Sequence, residues 1–283
     1  MRAKSRGLWS IHAAVLLFGV AGLFGKTLAL SPHVIVWGRT LFASFFLCLL
    51  LPALKIGFGI KRRADLLGFI FMGAVLALHW VTFFHAIQIS TVAIGLLTFA
   101  TFPIWVTFLE PLFFDERISL FDLFISVIVF FGLALVLPEF NLSNRFTLGA
   151  LWGTFSGFTF ALLSVLNRVF VAKYPALKLT FYQNAVACLL LLPLVSGSLG
   201  TLSAGDFAQL ALLGVVFTAL AHSLFIRGMR TVKAQLAGIV SSLEPVYGIL
   251  LALALLGEVP SLREILGGGV ILAAIISATW FRS

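Results

Sequence analysis

The sequence predicts an all-α integral membrane protein whose ten transmembrane helices form two inverted five-helix repeats. Three observations support this prediction. The composition is too apolar for a water-soluble core, ten stretches are long and apolar enough to cross a bilayer, and several residues recur in the second half of the chain at one constant offset.

The composition indicates that lipid, and not water, surrounds most of the protein. Hydrophobic residues make up 61% of the chain and charged residues 10%, with a mean hydropathy of +1.14. An ordinary globular domain carries about 25% charged residues, so lipid must cover the surplus apolar surface. The net charge of +9 is spread between apolar runs instead of along one face, which argues against a nucleic-acid partner. The predicted partner is the lipid bilayer.

The ten predicted helices are separated by prolines, Ser/Gly-rich stretches or charged clusters. A helix needs about 20 apolar residues to cross the hydrocarbon core, and each segment comes close to that length. The connectors are too short for a soluble domain. The predicted helices cover 7–30, 33–54, 64–87, 91–114 and 119–138 in the first half, and 147–172, 177–196, 205–227, 232–257 and 260–281 in the second.

The first segment follows three basic residues, Arg2, Lys4 and Arg6, as the apolar core of a signal peptide would. It is longer than such a core and lacks a small-residue cleavage site, so we expect it to be retained as a helix. Threading the ten segments places fifteen of the nineteen Lys and Arg residues on the side of the N-terminus. The positive-inside rule then predicts that both termini are cytoplasmic.

The repeat is clearest in two prolines and two glutamates. Pro103 and Glu116 reappear as Pro245 and Glu258, both shifted along the chain by the same distance, which we call the repeat offset. The predicted repeats cover residues 1–141 and 142–283. Because five helices is an odd number, the second copy must cross the membrane in the opposite sense. Inverted repeats are a recurrent device of secondary transporters, because they allow a central site to open to either side in turn.

The ten-helix plan, the two proline-bearing helices that end in Glu and the early Arg39 of the second helix resemble the drug/metabolite transporter superfamily, specifically its EamA-type exporters. The resemblance implies a basket-shaped bundle with a central cavity, lined mainly by the third, fourth, sixth, eighth and ninth helices. It also implies a location in a bacterial cytoplasmic membrane, and export of amino acids or other small metabolites by alternating access.

Glu244 is the leading candidate for the transport site. It lies about midway along the ninth segment, and an ionisable residue at that depth is costly unless it faces protein or water. Pro245 follows it directly, and Pro103 occupies the same place in the fourth segment. Because proline removes a backbone donor, both are predicted hinges or gates. A neutral Glu244 that ties the ninth helix to a neighbour is the structural alternative.

His79 in the third segment and His222 in the eighth are candidate substrate contacts, because histidine both donates and accepts near neutral pH. The alternative is that both histidines only form hydrogen bonds between packed helices, which is common. The histidines and cysteines lack metal-ligand spacing, so no metal site and no cofactor are predicted. Four aromatic residues and one serine share helix faces with polar groups and complete the predicted substrate site: Trp80, Phe83, Phe99, Trp152 and Ser241.

Phosphate-cradling loops and hydrolase signatures are absent from the sequence, and its polar residues are sparse and central, so an enzyme is not predicted. Three alternatives to export remain open: an importer, a uniporter, or a polytopic membrane enzyme or scaffold. The sequence leaves the substrate and the direction of flux undetermined, and it allows a monomer or a homodimer. Glu116 and Glu258 follow helix ends, where we expect them to pair with Arg or with backbone donors.

Overall fold

The computed structural model describes residues 2–115, 117–137 and 141–280 of the chain. Every regular element within these ranges is helical. The α-helices are α1 (Arg2–Thr27), α2 (Pro32–Ala53), α3 (Arg63–Ile89), α4 (Val92–Phe99), α5 (Phe102–Leu109), α6 (Leu120–Val136), α7 (Arg145–Val171), α8 (Ala176–Val195), α9 (Ala204–Gly214), α10 (Ala221–Gly228), α11 (Ala234–Ser241), α12 (Glu244–Leu256) and α13 (Leu262–Trp280).

Short turns of other helical types extend three of these helices. A 3₁₀ turn, Glu110–Leu112, continues α5, and another, Ser196–Thr201, continues α8. A π-helical turn, Val215–Leu220, joins α9 to α10 into one rod. Such π turns are rare and occur frequently at functional sites. No sequence pattern indicated this one.

The helices are those of a multi-pass membrane protein. Within the described residues, seven helical segments have the length and apolar character needed to cross a bilayer, and two shorter apolar helices cover Leu123–Val136 and Glu244–Leu256. The count of ten spans therefore stays a prediction. The seven segments are Ser5–Thr27, Pro32–Ala53, Arg63–Ile89, Val92–Leu112, Arg145–Val171, Ala176–Thr201 and Ala204–Gly228.

Two of the predicted helices are broken. The predicted fourth segment divides into α4 and α5 around Ala100-Thr101, and the predicted ninth divides into α11 and α12 around Ser242-Leu243. The two breaks are separated by the repeat offset. The kink expected at each proline is thus a break between two helices, although the fourth segment still forms one apolar stretch, Val92–Leu112, that is long enough to cross a bilayer.

Proline explains both interruptions. Pro103 and Pro245 each occupy the first turn of the helix that follows the break. Proline has no N–H to donate to the carbonyl four residues earlier, and its ring clashes with that carbonyl. The carbonyls in question belong to Phe99 and Ser241, the last residues of α4 and α11. A proline in the first turn is well tolerated, so the chain ends one helix and starts another.

The broken helices lie at the centre of the bundle. The half-helix α4 packs against α12, and α5 packs against α11. Helix α1 crosses α12 closely, since a Cβ added at Gly19 would lie 2.8 Å from Cβ of Tyr247. Helix α7 passes the first break at Gly157, where an added Cβ would lie 2.8 Å from the Phe99 carbonyl oxygen. Small residues thus bring unbroken helices against both interruptions.

Candidate functional site: a closed central cavity

A small cavity lies beside the two breaks. Its volume is about 20 Å³, which is room for about one water molecule. Seven of the predicted segments contribute to its wall. Five of them are the segments that the family resemblance implied, and the other two are the first and second segments. The lining residues are Phe18, Ala21, Arg39, His79, Trp80, Phe83, Phe99, Phe160, His222 and Glu244.

The structure brings together six of the eight side chains that the sequence singled out as substrate contacts. They come from four different segments, and all are at most 6% exposed. Whether they bind a substrate remains a prediction, but their convergence on one cavity is a structural fact. The six are His79, Trp80, Phe83, Phe99, His222 and Glu244.

Glu244 is the acidic member of the cavity. It is 4% exposed and is the first residue of α12, where the positive end of the helix dipole favours a carboxylate. In the described part of the chain, its carboxylate has no hydrogen bond and no ion pair within 4.0 Å. The structural alternative, a Glu244 hydrogen-bonded to a neighbouring helix, is therefore absent from this conformation. The carboxylate is available to a ligand.

Arg39 is the basic member, and sequence reasoning did not assign it to the site. Its Nε donates to Thr218 Oγ1 over 2.8 Å and its Nη2 to the Phe217 carbonyl over 3.3 Å. Its Cζ lies 3.8 Å from the centroid of the Trp80 ring, a cation–π contact worth about 2 kcal/mol when desolvated. A guanidinium has five N–H donors, so these bonds leave three for a ligand. Both protein acceptors belong to the π-helical turn.

His79 is held by Ser156 of α7. The Ser156 hydroxyl donates to the His79 carbonyl over 3.0 Å, while His79 Nδ1 lies 2.8 Å from that hydroxyl oxygen and 3.1 Å from the Ser156 carbonyl. A carbonyl oxygen only accepts, so Nδ1 must carry the proton. In the neutral ring, Nε2 is then the acceptor. The ring packs 4.9 Å from Phe160 and 5.4 Å from Phe99, centroid to centroid.

His222 is held in the opposite tautomer by a short chain of amides. Gln183 Nε2 donates to Asn167 Oδ1 over 2.6 Å, which leaves the Gln183 oxygen 2.9 Å from His222 Nε2. An amide oxygen accepts, so Nε2 carries the proton and Nδ1 is the acceptor in the neutral ring. The Trp80 ring lies edge-on at 5.8 Å. Trp80 therefore touches both Arg39 and His222 and connects the basic and imidazole groups.

An ion pair lies at one end of the bundle. Lys26 Nζ lies 3.8 Å from Glu258 Oε1 and donates to the Ser90 carbonyl over 2.7 Å. The other Glu258 oxygen accepts from the Val92 N–H at the start of α4. This confirms the prediction that Glu258 pairs with a backbone donor at a helix end. Its repeat partner, Glu116, lies outside the described residues.

A second ion pair lies at the opposite end. Arg168 Nη1 lies 2.6 Å from Glu110 Oε1, and Arg168 Cζ lies 3.9 Å from the centroid of the Phe114 ring. Arg168 and Lys26 are related by the repeat offset, so the two repeats place a basic residue at opposite ends of the bundle. Nearby, the Tyr174 hydroxyl donates to Asp65 over 2.7 Å. The two ion pairs thus lie at opposite ends of the bundle, with the small central cavity and its buried charged side chains between them.

Trp152 and Ser241 lie elsewhere. Trp152 is 39% exposed and packs edge-on against His85, with ring centroids 5.6 Å apart. Ser241 is buried at the end of α11, and its hydroxyl donates back to the Ala237 carbonyl over 3.0 Å. Neither side chain lines the cavity. Within the described ranges, no three His, Cys, Asp or Glu side chains are grouped closely enough to hold a metal ion.

Comparison with known proteins places the fold in a family. The family model described as "EamA-like transporter family" matches residues 5–137 and again 147–280. The chain belongs to the EamA-like transporter family. This confirms the resemblance inferred from the prolines and glutamates, and the double match agrees with a two-repeat organisation.

Individual relatives are similar over most of their length. The uncharacterized transporter YxxF of Bacillus subtilis is 25% identical over 97% of this chain and 89% of its own length. An uncharacterized transporter of Archaeoglobus fulgidus is 31% identical over 70% of both chains. The uncharacterized inner membrane transporter YicL of Salmonella typhimurium is 25% identical over 98% of this chain and 96% of its own length. These three EamA relatives all carry transporter names.

A solved crystal structure has the same fold. It superimposes with a TM-score of 0.74 over 99% of this chain and 97% of its own, at 17% sequence identity. At that identity the likeness concerns the fold alone. The protein is thus a membrane transporter of the EamA family, with a small central cavity lined by buried basic, acidic and aromatic side chains.

Proposed function

We propose that this EamA-family protein is a secondary transporter that exports small metabolites, amino acids above all, from the cytoplasm. The observation that carries the proposal is the presence of one basic and one acidic side chain in the cavity. Arg39 and Glu244 are both buried and line the same cavity, yet in the described structure they form no ion pair within 4.0 Å. A buried acid and a buried base that do not bond to each other suit a ligand that carries both signs of charge.

A zwitterionic amino acid matches these groups. Its ammonium would bind the Glu244 carboxylate, and its carboxylate would bind the free N–H donors of Arg39. The unprotonated nitrogens of His79 and His222 add two acceptors for the ammonium. Phe83, like the other rings of the wall, offers an apolar surface to the substrate side chain. The cavity as a whole then stays close to electrically neutral.

The size of the cavity supports a mechanism in which one end opens at a time. A volume of about 20 Å³ admits no amino acid, so the substrate must enter through another conformation. Separation of Lys26 from Glu258 would open one end, and separation of Arg168 from Glu110 would open the other. The breaks before Pro103 and Pro245 provide two sites about which half-helices can turn. This is alternating access by two inverted halves.

We also propose ten membrane spans with both termini in the cytoplasm, in the cytoplasmic membrane of a bacterium. The seven long apolar segments and the family match support a multi-pass protein, and one relative is named an inner membrane transporter. A reporter enzyme fused after Ser283 should be active only when the chosen enzyme works in the cytoplasm. Activity of an exclusively periplasmic reporter at that position would contradict the ten-span count.

Counterflow tests the function. Purified protein in liposomes that are preloaded with one unlabelled amino acid should accumulate the same labelled amino acid transiently, and a panel of amino acids identifies the substrate. Release of that amino acid from loaded cells, faster with the protein than without it, tests the direction. Absence of saturable counterflow for every solute tried would favour an enzyme or a scaffold.

A further inference from the structure

A second cavity lies on the flank of the bundle, away from the central site. It is a groove of about 450 Å³ between α2, the turn after α7, and the rod formed by α9, the π-helical turn and α10. This size falls within the about 300–1,000 Å³ of pockets that hold small organic ligands. Phe46 is 36% exposed and Leu220 is 48% exposed along the groove, so it opens toward the hydrocarbon of the membrane.

The wall is apolar except at one end. Among the polar side chains that line it, the Tyr174 hydroxyl donates to Asp65 and the Ser223 hydroxyl to Thr180. Arg227 and Arg230 differ from these. Both are exposed, and in the described part of the chain neither guanidinium has a hydrogen bond, an ion pair or a ring contact. Two unpaired cations therefore stand at one end of an otherwise apolar groove.

The proposed membrane orientation places the two arginines at the level of the lipid headgroups. Arg227 is in the last turn of α10, which ends at Gly228, and Arg230 follows in the connector to α11. In the proposed orientation this end of the rod faces the cytoplasm. The cytoplasmic leaflet is rich in anionic lipid, and basic pockets between transmembrane helices on that side bind anionic headgroups.

We propose that this groove binds an anionic phospholipid of the cytoplasmic leaflet. The headgroup phosphate bonds to Arg227 and Arg230, and an acyl chain lies along Leu50, Val216 and Ala219. The bound chain would cover one side of the π-helical turn, whose Thr218 and Phe217 hold Arg39 on the other side. The groove and the central cavity share no lining residue, so the lipid would adjoin the turn that holds Arg39 without entering the cavity.

Native mass spectrometry of the purified full-length protein tests the proposal, with phosphatidylglycerol and phosphatidylcholine of equal chain length as probes. We expect phosphatidylglycerol to be retained preferentially. Arg227→Gln/Arg230→Gln should weaken its binding on the order of tenfold, because the headgroup phosphate loses its two charge-assisted hydrogen-bond partners in the groove. Arg62→Gln/Arg63→Gln removes two exposed cations outside the groove and should change binding less than twofold, which is about the scatter expected of a surface charge.

Two further binding measurements test whether the ligand is a phospholipid with long acyl chains. Inorganic phosphate at millimolar concentration should leave phosphatidylglycerol bound, and a six-carbon-chain phosphatidylglycerol should bind far more weakly, because the apolar groove then stays largely empty. Equal retention of the two headgroups by the wild-type protein would overturn the proposal, even if the double variant failed to fold. Equal losses in the two double variants would also overturn it, and would leave only a general attraction to surface charge.

Discussion

The broken helix of the first repeat and the broken helix of the second share a backbone but differ in chemistry. Both are interrupted just before a proline, at positions related by the repeat offset. The residue before the proline is Phe102 in one and Glu244 in the other. Phe102 is fully buried and stacks on Phe99, with ring centroids 5.4 Å apart, whereas Glu244 faces the cavity without a protein partner. The two repeats thus share an interrupted helix, and the exchange of Phe102 for Glu244 places an acidic side chain in the cavity at the second break.

The largest effect should come from replacing Glu244, the acidic residue that distinguishes the second helix break from the first. Glu244→Gln keeps the shape of the side chain and loses its charge, and a hydrogen bond to a charged group is worth about 1.5–3 kcal/mol. We expect counterflow to fall about 10- to 100-fold on that basis. Initial rates in liposomes at matched protein levels measure this.

Two controls sharpen the comparison. Asp206→Asn neutralises a half-buried acid in the first turn of α9, outside the cavity, and should leave the flux unchanged. Phe102→Leu alters the corresponding residue of the first repeat and should cost less than about fivefold, because a volume-reducing apolar change disturbs packing only. A larger loss from Phe102→Leu than from Glu244→Gln would mean that the first hinge, not the second, carries the chemistry.

A smaller effect should come from the hinges themselves. Pro103→Ala and Pro245→Ala each restore a backbone donor that can reach the preceding half-helix, so both should favour a continuous helix. We expect each variant to change the transport rate by about three- to tenfold, equivalent to about 1 kcal/mol, while protein abundance changes less. Pro193→Ala, within the exposed end of α8, is the matched control. Unchanged rates in both hinge variants would reduce these prolines to packing residues.

The smallest effect should distinguish two histidines of one helix. His79 lines the cavity, whereas His85 packs against Trp152 away from it. His79→Ala should weaken the apparent affinity about 2- to 12-fold, the range of one neutral hydrogen bond, and His85→Ala should leave it nearly unchanged. Concentration dependence of counterflow measures both. Equal losses would indicate a general loss of packing.

The two helix breaks and most of the cavity are predictable from the sequence, because prolines and ionisable residues are rare within its apolar segments. Proline forbids a continuous helix, and an ionisable side chain at bilayer depth must face protein or water. Arg39, in the first half of α2, is also an ionisable residue at bilayer depth. It served only as part of the family resemblance, so it was not assigned to the cavity. Its partners Thr218 and Phe217 belong to a π-helical turn that no sequence pattern indicated.

The aromatic wall was harder to predict. With thirty phenylalanines in the chain, periodicity does not distinguish Phe160, which lines the cavity, from those that face lipid. Trp152 and Ser156 are four residues apart and share a face of α7. This spacing identifies the shared face, but it does not show which of the two side chains lies at the level of the cavity along the helix axis. Ser156 reaches His79, whereas Trp152 lies one turn away beside His85.

The most direct test of the account compares three competitors of counterflow: the substrate amino acid, its amine without the carboxylate, and its acid without the ammonium. In the wild type, we expect the amine and the acid to compete at least about tenfold more weakly than the amino acid, since each loses one charged contact. In Glu244→Gln, the acid should approach the amino acid to within about twofold, while the amine stays weak because Arg39 is intact. Unchanged discrimination in the variant, or equal competition by all three compounds in the wild type, would contradict recognition of a zwitterion by Arg39 and Glu244.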